Sequence, residues 1–469
     1  MDGPFGSDDR DEDALRPASR LRRAATLTVL VILIVSMIVL AFISGRGVVT
    51  VPPAPLPTAT AVATDPGLPR LAVVDASGRL RTMDAGGGSI ATYGPPDVAF
   101  TFPAWSPDGK RVASIGQDAR DTAVYVFTVP PDGHAPADAV VIGRSADHPP
   151  FYLYWSPDGT RLTYLTTEPT GLALQIAAAD ASSAPVAIRQ GAPLYWAWAG
   201  ADRLVVHSGN EGIDGFIGEV RLDGSSIEPR PLDAGTFRAP GVTADGRFRA
   251  YTSPGLTGTE QVIVESTDRS GQHGVDVFGG AALGFRPSGG DLAFIAPAAA
   301  GPAQTVPEGP LRIMDAATGS VRTLLTDGVV AFFWSPDGDT IAALQVVTPG
   351  DDSVATGGGI VLAASRHDAV PTVVPAAEPP GVGLRLVFVT EGSAAIRSRR
   401  SVRVSDAFAS QLLPYFDQYA LSHRIWSPDT LAILLPIVSA DGAVHLTSFR
   451  ADGSDPQPVT DGVAGFWSP

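Results

Sequence analysis

The sequence predicts an all-β chain, an eight-bladed β-propeller of four-stranded antiparallel blades, preceded by one transmembrane helix. Three observations carry this. The segment Trp-Ser-Pro-Asp-Gly stands at 105–109, 155–159 and 334–338, with Trp426-Ser-Pro-Asp429 and Trp467-Ser-Pro469 as partial copies. Short β-prone runs lie between the copies. The two ends of the region look like complementary parts of a single repeat.

Weaker echoes fill the interior: Trp198 before Asp202, Val242-Thr-Ala-Asp-Gly246 and Phe285-Arg-Pro-Ser-Gly289. The eight anchors at 105, 155, 198, 242, 285, 334, 426 and 467 are spaced by 50, 43, 44, 43, 49, 92 and 41 residues. A period near 40–45 residues with strand-like flanks is the mark of propeller blades. Within the first complete repeat the runs Phe100–Trp105, Arg111–Ile115, Ala123–Thr128 and Ala139–Ile142 supply four strands. The repeated turn has a mechanical reason. Pro presets φ, Asp bonds to local backbone, and Gly accepts positive φ on the way into the next strand. The Trp before it offers a large face for packing between blades.

The chain opens on residues 1–23, polar and mixed in charge, read as a disordered cytoplasmic tail. Residues 24–44 run 21 residues without a charge. As a helix that stretch spans roughly 31 Å, matching a hydrocarbon core of about 30 Å. It is longer than a signal-peptide core and lacks a cleavage site close behind it. Arg16, Arg20, Arg22 and Arg23 precede the span and only Arg46 closely follows, so the amino terminus is placed inside and the remainder outside, extracellular or periplasmic. Residues 45–68, rich in Pro, Ala and Thr, read as an extended linker.

Residues 69–469 form the predicted propeller. Its first repeat has strands at 71–75, 80–83 and 89–93 but no anchor strand before them. The carboxyl end, 463–469, is an anchor strand with nothing after it. Pairing the two closes the ring and hides an edge. The 92-residue interval counts as one blade with strands 340–347, 384–389 and 396–404 and an insertion at 350–383. A ninth blade from 360–374 is the alternative, lacking an anchor.

The repeated Trp-Ser-Pro-Asp-Gly, followed by Lys, Arg or Thr and a short apolar strand, resembles the WD40-like repeat of TolB-type β-propellers across roughly 70–469. That resemblance implies the architecture and an extracytoplasmic setting. It spans partner-binding members and members attached to peptidases, and so implies no single activity.

Composition excludes several chemistries. There is no Cys, hence no disulfide, thiolate metal site or cysteine nucleophile. A net charge of −16 argues against nucleic acid as a partner. The seven His are dispersed without His-Glu-x-x-His, no calcium-loop pattern occurs, and no Ser sits in a nucleophile elbow. No catalytic residue, metal or cofactor is therefore called.

One stretch departs from the repeat. Ile396–Val404 places Arg397, Arg399 and Arg403 on one strand face by period two, a candidate anion or acidic-partner site. Residues 406–421 follow as a helix with Phe408, Leu412, Phe416 and Tyr419 on one stripe. Asp406 is its expected N-cap, and Pro414 should divide it. Such an insertion is expected to pack over one face or a groove, leaving Tyr415, Asp417, Tyr419 and His423 as candidate binding residues. The leading function is a membrane-tethered binding or scaffold module for a protein, peptide or envelope polymer. The alternatives are a hydrolase or lyase with an axial active site, and a ligand sensor.

Overall fold

The structure, a computed structural model, describes residues 69–130, 138–209, 215–227, 232–256, 258–301, 306–347 and 381–469. The predicted tail, membrane helix and linker (1–68) lie outside these residues, as do most of the 350–383 insertion and the alternative blade at 360–374. Among the described residues no helix is long and apolar enough to cross a membrane.

Antiparallel sheets follow one another in chain order. Ala99–Trp105, Arg111–Gln117, Thr122–Thr128 and Val140–Ser145 make the first whole sheet, and Pro150–Trp155 through Val186–Gly191 the next. Leu194–Trp198, Arg203–Ser208 and Phe216–Arg221 form a three-stranded sheet, followed by four strands from Gly241–Val242 to Gln272–Val277. Ten strands from Ala282–Phe285 to Gln457–Asp461 are continuous. Two links make them so: the long strand Val321–Trp334, whose first part pairs with Gly309–Asp315 and whose last part pairs with Thr340–Val346, and the single pair Val404–Ile437. Val382–Thr390 and Ile396–Val404 are the expected third and fourth strands of the long interval.

Burial explains the residue choice. Residues 122–127 are buried without alternation, since sheets cover both faces of a middle strand. The outer strand Gln272–Val277 alternates instead, one face meeting water.

The terminal segment behaves as the ends of the sequence imply. Ala464–Trp467 pairs antiparallel with the first strand, Leu71 opposite Trp467 and Val74 opposite Ala464, in a sheet completed by Leu80–Asp84 and Ala91–Tyr93. Both ends of the described region thus share one sheet, and the edge that Leu71–Val74 would expose is paired.

Each repeated turn is one hydrogen-bonded unit. Ser106 Oγ donates to Asp108 Oδ1 (2.5 Å) and accepts from the Arg111 amide (3.0 Å), while the Lys110 amide donates to Asp108 (3.1 Å). The unit recurs at Ser156–Asp158, Ser335–Asp337 and Ser427–Asp429, and at Thr243–Asp245 in an eroded copy. Gly109, Gly159 and Gly338 sit at φ of 67°, 69° and 77°. In the fourth copy Thr430 occupies this position at φ 64°, where a β-branched residue is strained. Thr430→Gly should raise the unfolding free energy by about 1 kcal/mol in denaturant titration.

The anchor tryptophans link sheet to sheet. Trp105 Nε1 donates to the Phe466 carbonyl (3.1 Å), Trp155 to Ala104 (3.0 Å), Trp334 to Gly284 (3.0 Å) and Trp426 to Phe333 (2.9 Å). Every acceptor is the residue just before the preceding anchor. Trp198 and Trp467 break the series with buried, unpartnered Nε1 atoms. The carbonyl equivalent for Trp198, on Tyr154, is taken by Thr163 Oγ1 (3.0 Å). Trp155→Phe should therefore cost about 0.5–1.5 kcal/mol more than Trp198→Phe, because only the first loses an indole hydrogen bond. Paired melting curves of the two variants measure this difference.

Candidate functional site

The helical segment after Ile396–Val404 begins at Ser405, whose Oγ accepts from the Phe408 amide (3.2 Å). This corrects the expected Asp406 cap; Asp406 Oδ1 instead accepts from the Gly381 amide (3.1 Å). Pro414 divides the segment as expected. A π-helical turn, Phe408–Leu412, passes into a 3₁₀ turn, Leu413–Tyr415, and then the α-helix Phe416–Ser422, here α1. Proline cannot donate an amide, so regular i→i−4 bonding fails around it. Phe408, Leu412, Phe416 and Tyr419 are all buried, which is the predicted stripe.

The expectation is packing over one face or a groove, and the contacts give the location. Phe416 packs edge-on against Phe332 and Phe333 (ring centroids 5.3 and 5.8 Å), Tyr419 against Phe102 and Tyr152 (5.0 and 5.2 Å), and His423 against Phe466 (4.7 Å). Asp417 accepts from the Ala239 amide (3.2 Å), and Gln418 meets Trp196. Those partners lie on or beside the first strand of one sheet after another. A segment this short can reach all of them only from the centre of the ring, so α1 fills the axis.

Local backbone prepares the contact. Phe102 and Tyr152 both have φ of 46°, each within a register shift of its strand. Bulges re-aim side chains, and these two point at Tyr419. Gln418 acts as a substitute strand. Its Oε1 accepts from the Trp196 amide (3.1 Å), and its Nε2 donates to the Trp196 carbonyl (3.0 Å) and to Tyr152 Oη (2.8 Å). An inner strand's open edge is satisfied by a side-chain amide.

Burial shifts the ionisable groups here toward their neutral forms. Burial lowers His423 to about 4, against a raising hydrogen bond to the Phe102 carbonyl. That carbonyl can only accept, so Nε2 (3.2 Å away) carries the proton and Nδ1 accepts from Ser422 Oγ (2.6 Å). Burial also lowers His207 to about 4; its ring nitrogen Nδ1 lies 2.9 Å from the Arg238 carbonyl. Burial raises the Asp417 carboxyl, opposed by the nearby Arg238 guanidinium. Tyr415 is half-buried with Tyr195 and Phe237.

The two sets of predicted residues are not brought together. Asp417, Tyr419 and His423 face inward at the axis, whereas Ile396–Val404 lies two strands removed from Thr340–Val346 in the ten-stranded sheet. Arg397 donates to Thr340 Oγ1 (3.0 Å) and Arg403 to the Gly381 carbonyl (3.0 Å). Arg399 is exposed and makes no hydrogen bond among the described residues. On the other strand face, Arg400 donates to the carbonyls of Gly453 and Ser454 (3.1 and 3.4 Å). With Arg403, Ser439, His445 and Thr447 it borders a groove of about 360 Å³.

Sequence reasoning missed a recess at the carboxyl end of α1. It measures about 330 Å³ and is walled by Phe285, Pro287, Phe332, Trp334, Pro336, Leu421, Ile425 and Trp426, with Arg424 among its lining. Its walls come from repeat positions read as structural, and nothing in the spacing signals that Arg424 lies against them.

No protein-family model matches this chain, and no curated protein matches it in sequence. Among solved structures it is similar to dihydro-heme d1 dehydrogenase NirN, at 14% identity over 88% of this chain and 77% of that one, with a TM-score of 0.51. It is also similar to a eukaryotic initiation factor (11% identity, 86% and 99% covered, TM-score 0.49) and to TolB from Acinetobacter baumannii (17%, 55% and 66%, 0.34). At 14% identity the likeness to the first of these speaks to fold and not to activity, and with the successive antiparallel sheets the fold is that of a β-propeller.

Proposed function

We propose that the chain is a membrane-tethered, extracytoplasmic binding module, an eight-bladed propeller that holds a protein, peptide or envelope polymer. In this reading the ten-stranded sheet is three blades run together, joined by Val321–Trp334 and by the single pair Val404–Ile437. The apolar run at 24–44 is the anchor, with Arg16 to Arg23 holding the amino terminus in the cytoplasm. Residues 45–68 space the ring from the bilayer.

The observation that carries the binding reading is the occupied axis. Buried Phe416, Asp417, Gln418 and Tyr419 fill the centre and rigidify the ring, leaving a concave aromatic recess beside α1. A concave apolar site with few polar groups on a preformed scaffold is suited to recognition. The axial-enzyme alternative needs acid–base groups open to substrate, whereas His423 and Asp417 are enclosed by packing.

Two measurements on the full chain in membranes test this. The chain has no native Cys, so single cysteines report cleanly. Thr60→Cys should react with an impermeant maleimide in intact cells and Ser7→Cys only after lysis; the reverse pattern contradicts the topology. A photocrosslinker at Pro336, on the recess rim, should give a discrete adduct that one at exposed Val186 does not. Equal adducts from both positions, or none, contradict the binding role.

A further inference from the structure

The aromatic recess beside α1 carries a ligand class as well as a shape. Its walls are aromatic, aliphatic and proline side chains, and three ionisable residues touch it: Asp417, His423 and Arg424. Asp417 and His423 are 2% and 3% exposed and are engaged elsewhere. Asp417 takes the amides of Ala239 and Gln418 (3.2 and 3.1 Å), and His423 bonds Ser422 and the Phe102 carbonyl.

Arg424 is different. Its residue surface is open to water while the walls around the guanidinium lower its pKa by desolvation, opposed by the nearby Tyr154 hydroxyl, and the guanidinium has neither a hydrogen bond nor an ion pair among the described residues. The comparison with other arginines at the repeated turns is instructive. Arg111 donates to the Gly159 carbonyl (2.6 Å), and Arg286 faces Asp291, Asp339 and Glu391 within 3.4, 2.8 and 3.7 Å. In a chain of net charge −16, a guanidinium left without a carboxylate beside an aromatic hollow marks a place for an external anion.

Size and charge narrow the choice. A volume of about 330 Å³ lies at the small end of ligand sites, which run from about 300 to 1,000 Å³. One cation in apolar walls compensates one negative charge; a dianion would be desolvated without a second partner. A planar carboxylate also matches the two parallel donors of Arg.

We propose that this recess binds a single carboxylate carried on an aromatic or branched apolar body, with Arg424 as its counter-charge. The inference rests on the binding-module reading and names the ligand chemistry of that same site. Two sources share this chemistry: the carboxyl terminus of an apolar peptide, and a free aromatic or acyl acid.

The probes are N-acetylphenylalanine, its amide, and a pentapeptide ending in Leu-Phe with a free or amidated carboxyl terminus. Binding to the full chain in detergent is followed by calorimetry and by tryptophan fluorescence, Trp334 and Trp426 being in the wall. The free acids should saturate the signal, and the amides should bind about tenfold or more weakly. Arg424→Gln should lose about tenfold for the acids and nothing for the amides, with Arg424→Lys intermediate. Arg221→Gln, an exposed arginine outside the recess lining, should bind like the parent chain. A peptide acid tighter than N-acetylphenylalanine assigns the site to a chain terminus; equal affinities assign it to a free acid. Equal binding of acid and amide, an unchanged Arg424→Gln, or no saturation by either acid up to about 10 mM overturns the proposal. If Pro336 still gives its adduct in that case, the binding module stands and only the ligand class falls.

Discussion

Phe416→Ala should lower the unfolding free energy by about 3–5 kcal/mol, the loss measured for large buried aromatics cut back to a methyl. Phe416 is 1% exposed and stacks edge-on with Phe332 and Phe333, so the void left at the centre of the ring has little means of collapsing. Its helical neighbour gives an independent version of the same test. Gln418→Glu keeps the shape of the side chain but cannot donate to the Trp196 carbonyl or to Tyr152, and it buries a charge. It should cost about 2–4 kcal/mol, while Gln418→Glu would be nearly silent if the segment lay on an exterior face. Urea titration with matched m-values reads both effects.

Acid should loosen the same centre. His207 and His423 are held near pKa 4 in the fold, against about 6.5 in an unfolded chain. Above about pH 6.5 both are neutral in both states and their contribution is complete. As the pH falls below 6.5 the unfolded chain takes up protons that the folded chain refuses, so stability declines until about pH 4 and then levels. Each imidazole should account for about 3 kcal/mol over that window. His423→Gln and His207→Gln should each remove about half of the decline between pH 7 and pH 4.5, and the double variant nearly all of it. The turn carboxylates act in a lower window. Hydrogen bonds from the Arg247 amide and Thr243 hold Asp245 at about 2, so its contribution fades only below the ordinary carboxylate range. Asp417, raised by burial, has the opposite sign, losing stability as it ionises with rising pH.

Much of the architecture is legible in the chain because it repeats. Trp-Ser-Pro-Asp-Gly names a turn whose bonds are local, so Ser106, Asp108 and Gly109 can be read without knowing what surrounds them. The closing strand is legible for a related reason: Phe466 and Trp467 end a repeat whose other strands begin at Leu71. Partners distant in sequence are another matter. Trp155 announces a large buried face, but the Ala104 carbonyl that receives its Nε1 is a property of how neighbouring sheets stack. The stripe Phe408, Leu412, Phe416 and Tyr419 announces burial against something, and only the closed ring shows that this is its own axis. Ser405 caps in place of Asp406 because Asp406 is drawn to the Gly381 amide across the sheet. Arg424 is invisible to pattern altogether, since its significance lies in the walls beside it.

The account depends most on α1 occupying the middle of the ring, and amide hydrogen exchange on the full chain at neutral pH measures that directly. The amides of residues 419–422 should be protected to within about tenfold of those in Leu194–Trp198, because both open only when the ring opens. Exchange of 419–422 as fast as the exposed turn at Ser182, with Leu194–Trp198 still protected, would place the helix outside the axis and contradict the account.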